Sequence, residues 1–214
     1  MNTERDDVRR ALVLGMIALS LAGCASNTLQ APRNRHFVLD VERTGPPQTR
    51  RQGTLCVRMF RVAEPFATDQ LVYRVSKTLF EIDYHKQFVT PPEAMLTAEI
   101  RQWMAAAGLF AHVVDPSSRA EITHTLEGRV VAMYGDYVVA DAPHAVLEMQ
   151  LVLVRETRGR NPVVFDRTYT ARTPIAGAQA DHLIAALNDA LRKILTDFET
   201  DLDQEWDRLQ RVEP

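Results

Sequence analysis

The groups in this sequence that could carry chemistry are two thiols and a few carboxylate and imidazole side chains. Cys24 ends an apolar run directly behind Leu21-Ala22-Gly23, and Cys56 lies within the strand-like run Thr54-Leu-Cys-Val-Arg-Met-Phe60. Glu81, Asp83 and His85 alternate along one stretch and share a strand face, which makes a metal site conceivable. Three successive residues on one strand face follow a line and do not converge on a point, so they read as solvated surface groups. Asp136 and Asp141 flank a hairpin tip, where aspartate is favoured by turn geometry. His124 shares the face of Ile122 and Leu126 and reads as a core or interface histidine, not a ligand. No Gly-x-Ser-x-Gly elbow, phosphate-cradling Gly-rich loop, His-Glu-x-x-His or Cys-x-x-Cys is present. The expectation is a chain with no catalytic residue, no metal and no cofactor.

The elements that position these groups follow from periodicity. Short strand-like runs are expected at Phe37–Val41, Leu55–Val62, Leu71–Val75 and Leu79–His85. In the last, Phe80, Ile82 and Tyr84 form the core-facing row. Leu96, Ile100, Trp103, Met104 and Ala107 recur at helical spacing over Glu93–Ala107, with Thr90 as a candidate cap, prolines in the first turn and Gly108 as the stop. After a short strand at Phe110–Val114, the runs Ala120–Val131, Ala145–Glu156 and Val163–Ala171 read as a meander. A long helix from about Ala178 to Leu209 carries Leu183, Leu187, Leu191, Ile194, Phe198 and Leu202 on one stripe. The predicted fold is α+β, a largely antiparallel sheet packed by two helices. Two features suggest contact with a partner. The hairpin tip between Tyr134 and Pro143 holds Tyr137, Val138 and Val139, apolar residues in a loop, and Trp206 widens the stripe of the last helix in a polar tail spanning 203–214. For both, packing within the domain is the competing reading.

The uncharged run Ala11–Gly23 is 13 residues long, short of the roughly 20 that a membrane-crossing helix needs, and follows Arg5, Arg9 and Arg10. That is the form of a secretory signal peptide over residues 1–23. Leu21-Ala-Gly-Cys24 resembles the lipobox of bacterial lipoproteins, which implies that Cys24 becomes the first mature residue and carries a diacylglyceryl thioether and an N-acyl group, the latter of the palmitate type. Several acyl chains on one residue make a stable anchor where one holds marginally. Ala25 and Ser26 follow, with none of the aspartate that, by resemblance to the enteric sorting rule, would retain the protein at the inner membrane, so the periplasmic face of the outer membrane is favoured. Residues 24–36 read as a lipidated tether, and 37–202 as one periplasmic domain. Removal of the leader leaves 191 of 214 residues with a net charge of −3. That suits one domain and argues against nucleic acid as a partner. With Cys24 acylated, Cys56 cannot pair within its chain and reads as a buried apolar thiol.

Several stretches together resemble the ABC-type transport auxiliary lipoproteins, the PqiC-like group. They are the lipobox, Phe37-Val-Leu-Asp, Val62-Ala-Glu-Pro-Phe-Ala-Thr-Asp-Gln-Leu-Val-Tyr-Arg74 and Leu79-Phe-Glu-Ile-Asp-Tyr-His85. Leu126-Glu-Gly128, Ala145-Val-Leu-Glu-Met149, Phe165-Asp-Arg167 and the Ala- and Leu-rich last helix extend the likeness. The sequence departs from that pattern at Lys86-Gln-Phe88, where the family often carries a tryptophan, and in the polar tail. The resemblance implies a non-enzymatic auxiliary subunit of an MCE-type ABC lipid transport system. Its partners would be an MCE-domain protein and the transporter's permease complex, and homo-oligomers are plausible. A scaffold or assembly lipoprotein of another outer-membrane complex is the alternative, and a lipid-modifying hydrolase a third class.

Overall fold

Three long strands dominate the architecture of the computed structural model, which describes residues 34–48 and 52–210, excepting the side chains of 207–210. Strands β7 (His124–Asp136), β8 (His144–Arg155) and β9 (Val163–Pro174) form an antiparallel meander. On β8, Ala145, Leu147, Met149, Leu151 and Leu153 are buried while the intervening Glu148, Gln150 and Val152 are partly exposed, the two-residue period of a strand with one covered face. The loop expected to start at Tyr134 starts at Tyr137, because Tyr134, Gly135 and Asp136 continue the β7 ladder.

The other edge of β7 is shared in succession by β2 (Thr54–Val57), β3 (Arg61–Val62) and β4 (Gln70–Arg74), all parallel to it. One length of chain thus runs beside β7 in three pieces, broken at Arg58–Phe60 and at a 3-10 turn, Glu64–Phe66. Strand β5 (Phe80–Phe88) returns antiparallel to β4. Strands β1 (Arg35–Phe37) and β6 (His112–Val114) add in parallel to β5 and β2. The α+β class holds, and the nine-stranded sheet is mixed: five of its eight pairings are parallel. The largely antiparallel expectation fits the meander alone, since short runs of two to five residues carry no mark of direction.

Both helices cover one face of this sheet, and side chains from both enter its principal core. In α1 (Pro92–Ala107), Leu96, Ile100, Trp103, Met104 and Ala107 are buried. Pro91 occupies the N-cap position expected for Thr90, and its carbonyl accepts the amides of Ala94 and Met95. Gly108, at φ 73°, ends the helix in the left-handed conformation that glycine adopts without a Cβ penalty. In α2 (Ala180–Gln210) the stripe from Leu183 to Leu202 is buried as its spacing implies. The burial continues past it: Trp206 lies inside against Phe110 and His124, at ring-centroid distances of 5.2 and 5.8 Å, so the segment up to 206 does not project as a polar tail.

The run expected as a strand over Phe37–Val41 becomes strand only as far as Phe37. Beyond it the chain forms an extended strap held by the two helices. Leu39 and Val41 are buried. Their amides donate to Met95 Sδ and Glu99 Oε2 on α1, and Asp40 N–H donates to Asn188 Oδ1 on α2. Arg43 then grips Glu199 of α2 through Nε and Nη2 at 2.8 and 2.7 Å, both side chains buried, with Gln48 Nε2 and Trp103 Nε1 donating to the same carboxylate. Burial opposes ionisation of Glu199, but Arg43, Gln48 and Trp103 hold its carboxyl below the usual range.

Candidate docking surface

The sheet face away from the helices is open and carries its own small apolar cluster, Phe66, Val72, Tyr134 and Val146. The β4–β5 register sets Val72 opposite Ile82 and Arg74 opposite Phe80, which turns the Phe80, Ile82 and Tyr84 row toward this open face. That reverses the core-facing expectation. Phe80 completes an aromatic trio, its ring edge-on to Tyr134 at 5.3 Å and to Phe66 at 6.0 Å, while Phe66 and Tyr134 stack at 5.6 Å. Even so, Phe80 and Ile82 remain 41% exposed, Leu79 52% and Tyr84 73%. Adjacent exposed apolar side chains of this size mark contact surfaces more often than isolated ones do.

The same stretch is a sheet edge. Strand β1 pairs with β5 only from Lys86 to Phe88, so among the described residues the outer side of Phe80–His85 has no strand partner. The β4 pairing also slips between Gln70 and Leu71, leaving Tyr84–Lys86 out of register. Charges partly guard this edge: Lys86 pairs with Asp83 at 2.9 Å, and His85 Nδ1 lies 3.1 Å from Asn34 Oδ1. Glu81 is exposed, so the Glu81, Asp83 and His85 set is dispersed along the edge. Among the described residues no group of three or more His, Cys, Asp or Glu is placed to hold a metal ion.

Two turns meet at the end of the sheet beside Phe80. Tyr137 N–H donates to Arg74 O at 2.8 Å, which brings the β7–β8 loop next to the β4–β5 turn. Asp136 anchors this corner: Arg74 donates to both its oxygens at 3.3 and 2.7 Å, Arg172 adds a contact at 3.0 Å, and Val138 N–H donates to Oδ1 at 3.2 Å. Burial raises the cost of the charge, but these donors and guanidiniums keep the Asp136 carboxyl below its ordinary range. The Arg74 guanidinium also lies over the Tyr134 ring at 5.4 Å. Asp141 is exposed on the loop.

The sequence-predicted contact residues separate here. Val138 and Val139 are exposed at the loop tip beside the β4–β5 turn. Tyr137 is half-buried and edge-on to Tyr73 at 5.7 Å, packed against the core. Trp206 is taken up by the core on the far side of the sheet, because α2 continues along the body past Leu202. Cys24 lies outside the described residues. Cys56 is buried as expected, its thiol pKa pushed up by burial. The reading of single residues missed Leu79, Phe80, Ile82 and Tyr84 as contact groups. Their alternation signalled a two-faced strand, but which face would be covered depends on where the helices pack.

The family described as ABC-type transport auxiliary lipoprotein component matches residues 37–198 of the chain. No curated protein matches. Among solved structures, a Xanthomonas campestris protein of family DUF330 is similar with a TM-score of 0.65 and 19% identity, covering 80% of this chain and 99% of that one. A second crystal structure, of an uncharacterised protein, has a TM-score of 0.59 and 14% identity over 79% of this chain and 99% of its own. At these identities the two structures establish the shared fold.

Proposed function

Given that this chain belongs to the ABC-type transport auxiliary lipoprotein component family, we propose that it is the non-enzymatic, outer-membrane-anchored subunit of an MCE-type ABC lipid transport system. It is held at the periplasmic face through acylated Cys24 and receives the periplasmic end of the transporter. The observation that carries the docking role is the exposed row Leu79, Phe80, Ile82 and Tyr84 on a strand edge with no partner among the described residues, continued at the same end of the sheet by Val138 and Val139. An edge of this kind offers backbone donors and acceptors as well as apolar side chains, the two components of strand-addition recognition. Such a subunit works by contact, with no turnover of its own. Assembly of several copies into a ring that matches a tubular partner belongs to the same reading, and native mass in detergent tests it.

Site-specific photocrosslinking in intact envelopes tests the docking role. A photoreactive residue at Tyr84 or Val139 is expected to capture an MCE-domain protein, whereas one at Lys193, on the exposed side of α2, is not. Capture from Tyr84 of subunits of an unrelated outer-membrane complex would replace this reading with a scaffold or assembly role. Equal capture of the MCE protein from all three positions would remove the edge as the docking surface.

A further inference from the structure

A groove of about 680 Å³ opens on the uncovered sheet face, centred on the jog between β2 and β3. Its basic wall is built by register. Arg61 on β3 pairs with Arg129 on β7, and Arg129 with Gln150 on β8, so both guanidiniums stand side by side on the same face. Like charges on directly adjacent strands repel, and among the described residues neither guanidinium has a hydrogen bond or ion pair. Both are exposed. Of the nearby carboxylates, Glu127 lines the groove and accepts Nη1 of Arg58, which also lines it, at 2.9 Å, and Asp166 accepts Gln150 Nε2 at 2.9 Å. Beside the arginines the lining turns apolar, with Pro116, Val152 and Met59, the last 60% exposed.

We propose that this groove binds a phosphate-bearing ligand, with Arg61 and Arg129 donating to its oxygens. A guanidinium presents a fixed fork of donors that matches the oxygens of a phosphate, and an anion between the two arginines removes their mutual repulsion. The apolar lining gives the ligand's carbon portion a surface, so a phospholipid headgroup and free phosphate share the recognition chemistry and differ in what else they touch. The site does not depend on the transporter partner. Its failure would leave the docking edge untouched, and loss of the docking edge would leave the groove intact.

The test uses the full mature lipoprotein in non-ionic detergent and follows binding by the ³¹P resonances of inorganic phosphate and of short-chain dihexanoyl-phosphatidylglycerol, with dihexanoylglycerol as the phosphate-free competitor. The expected result is saturable binding of a phosphate probe that weakens at least tenfold in Arg61→Gln and in Arg129→Gln, with no competition by dihexanoylglycerol. A lipid probe bound more than tenfold tighter than inorganic phosphate identifies a headgroup site, and equal affinities identify a free-phosphate site. Both substitutions replace exposed side chains, and thermal unfolding of each variant verifies that the fold is retained. No saturable binding of either probe, binding unchanged by both substitutions, or equal displacement by dihexanoylglycerol overturns the proposal.

Discussion

The imidazole of His124 packs against the rings of Phe110 and Trp206, with Nδ1 3.0 Å from Thr123 Oγ1 and Nε2 buried without a hydrogen bond. Burial, reinforced by the charge of Arg155 and partly offset by Glu156, brings its pKa from 6.5 down to about 4. Between those two values the unfolded chain binds a proton that the folded chain refuses, so this contribution to stability is complete above about pH 6.5 and declines as pH falls toward 4. The loss is on the order of 3 kcal/mol. Urea unfolding at pH 7 and at pH 5 should show the decline, and His124→Phe should flatten it; an unchanged slope in that variant would assign the acid sensitivity to other groups. Gly128 makes a steric demand of a different kind. A Cβ there would run into the ring of Phe60, which is itself fully buried. Gly128→Ala is therefore expected to destabilise the domain by about 1–3 kcal/mol through forced repacking, measured by chemical denaturation. Burial of His124 was legible from its apolar neighbours in sequence. The need for glycine at 128 was not, because Phe60 reaches it only through the jog between β2 and β3.

At the scale of elements, the strap after β1 joins what would otherwise be two helices in sparse mutual contact. It links the N-terminal end of the described domain to the helical layer through Asn188, Glu99 and the Arg43–Glu199 pair. Removing one member of a buried ion pair strands the other, at a cost of roughly 3–5 kcal/mol. Arg43→Ala is expected to lower stability by that order and to speed hydrogen exchange at the amides of Leu39, Asp40 and Val41 ahead of those in the meander. Uniform exchange across the domain would mean that the strap is no separate unit. The alternation of Phe37, Leu39 and Val41 was visible in the sequence and suggested a strand. It buries one side of an extended chain equally well when the neighbours are helices, so periodicity alone could not distinguish the two.

For the whole molecule, the sharpest expectation concerns the membrane. Cys24→Ser should move the protein from the membrane to the soluble envelope fraction without changing the unfolding midpoint of the domain, since Cys24 lies upstream of every described contact. Retention of the variant on membranes would refute acylation as the anchor. The sequence by itself determined most of the elements and the family, because the signals for helix stripe and strand alternation are local. It also specified the buried stripe of α2 and the glycine stop of α1. Only the tertiary structure decided strand direction, since the chain beside β7 is cut into pieces too short to encode it. Tertiary packing likewise turned Phe80, Ile82 and Tyr84 outward, because both helices lie on the opposite face, and drew Trp206 inward. It joined Arg43 to Glu199, and Arg61 to Arg129, from opposite ends or middle reaches of the chain. Which face is covered, and which charges meet, depends on long-range neighbours that no local pattern records.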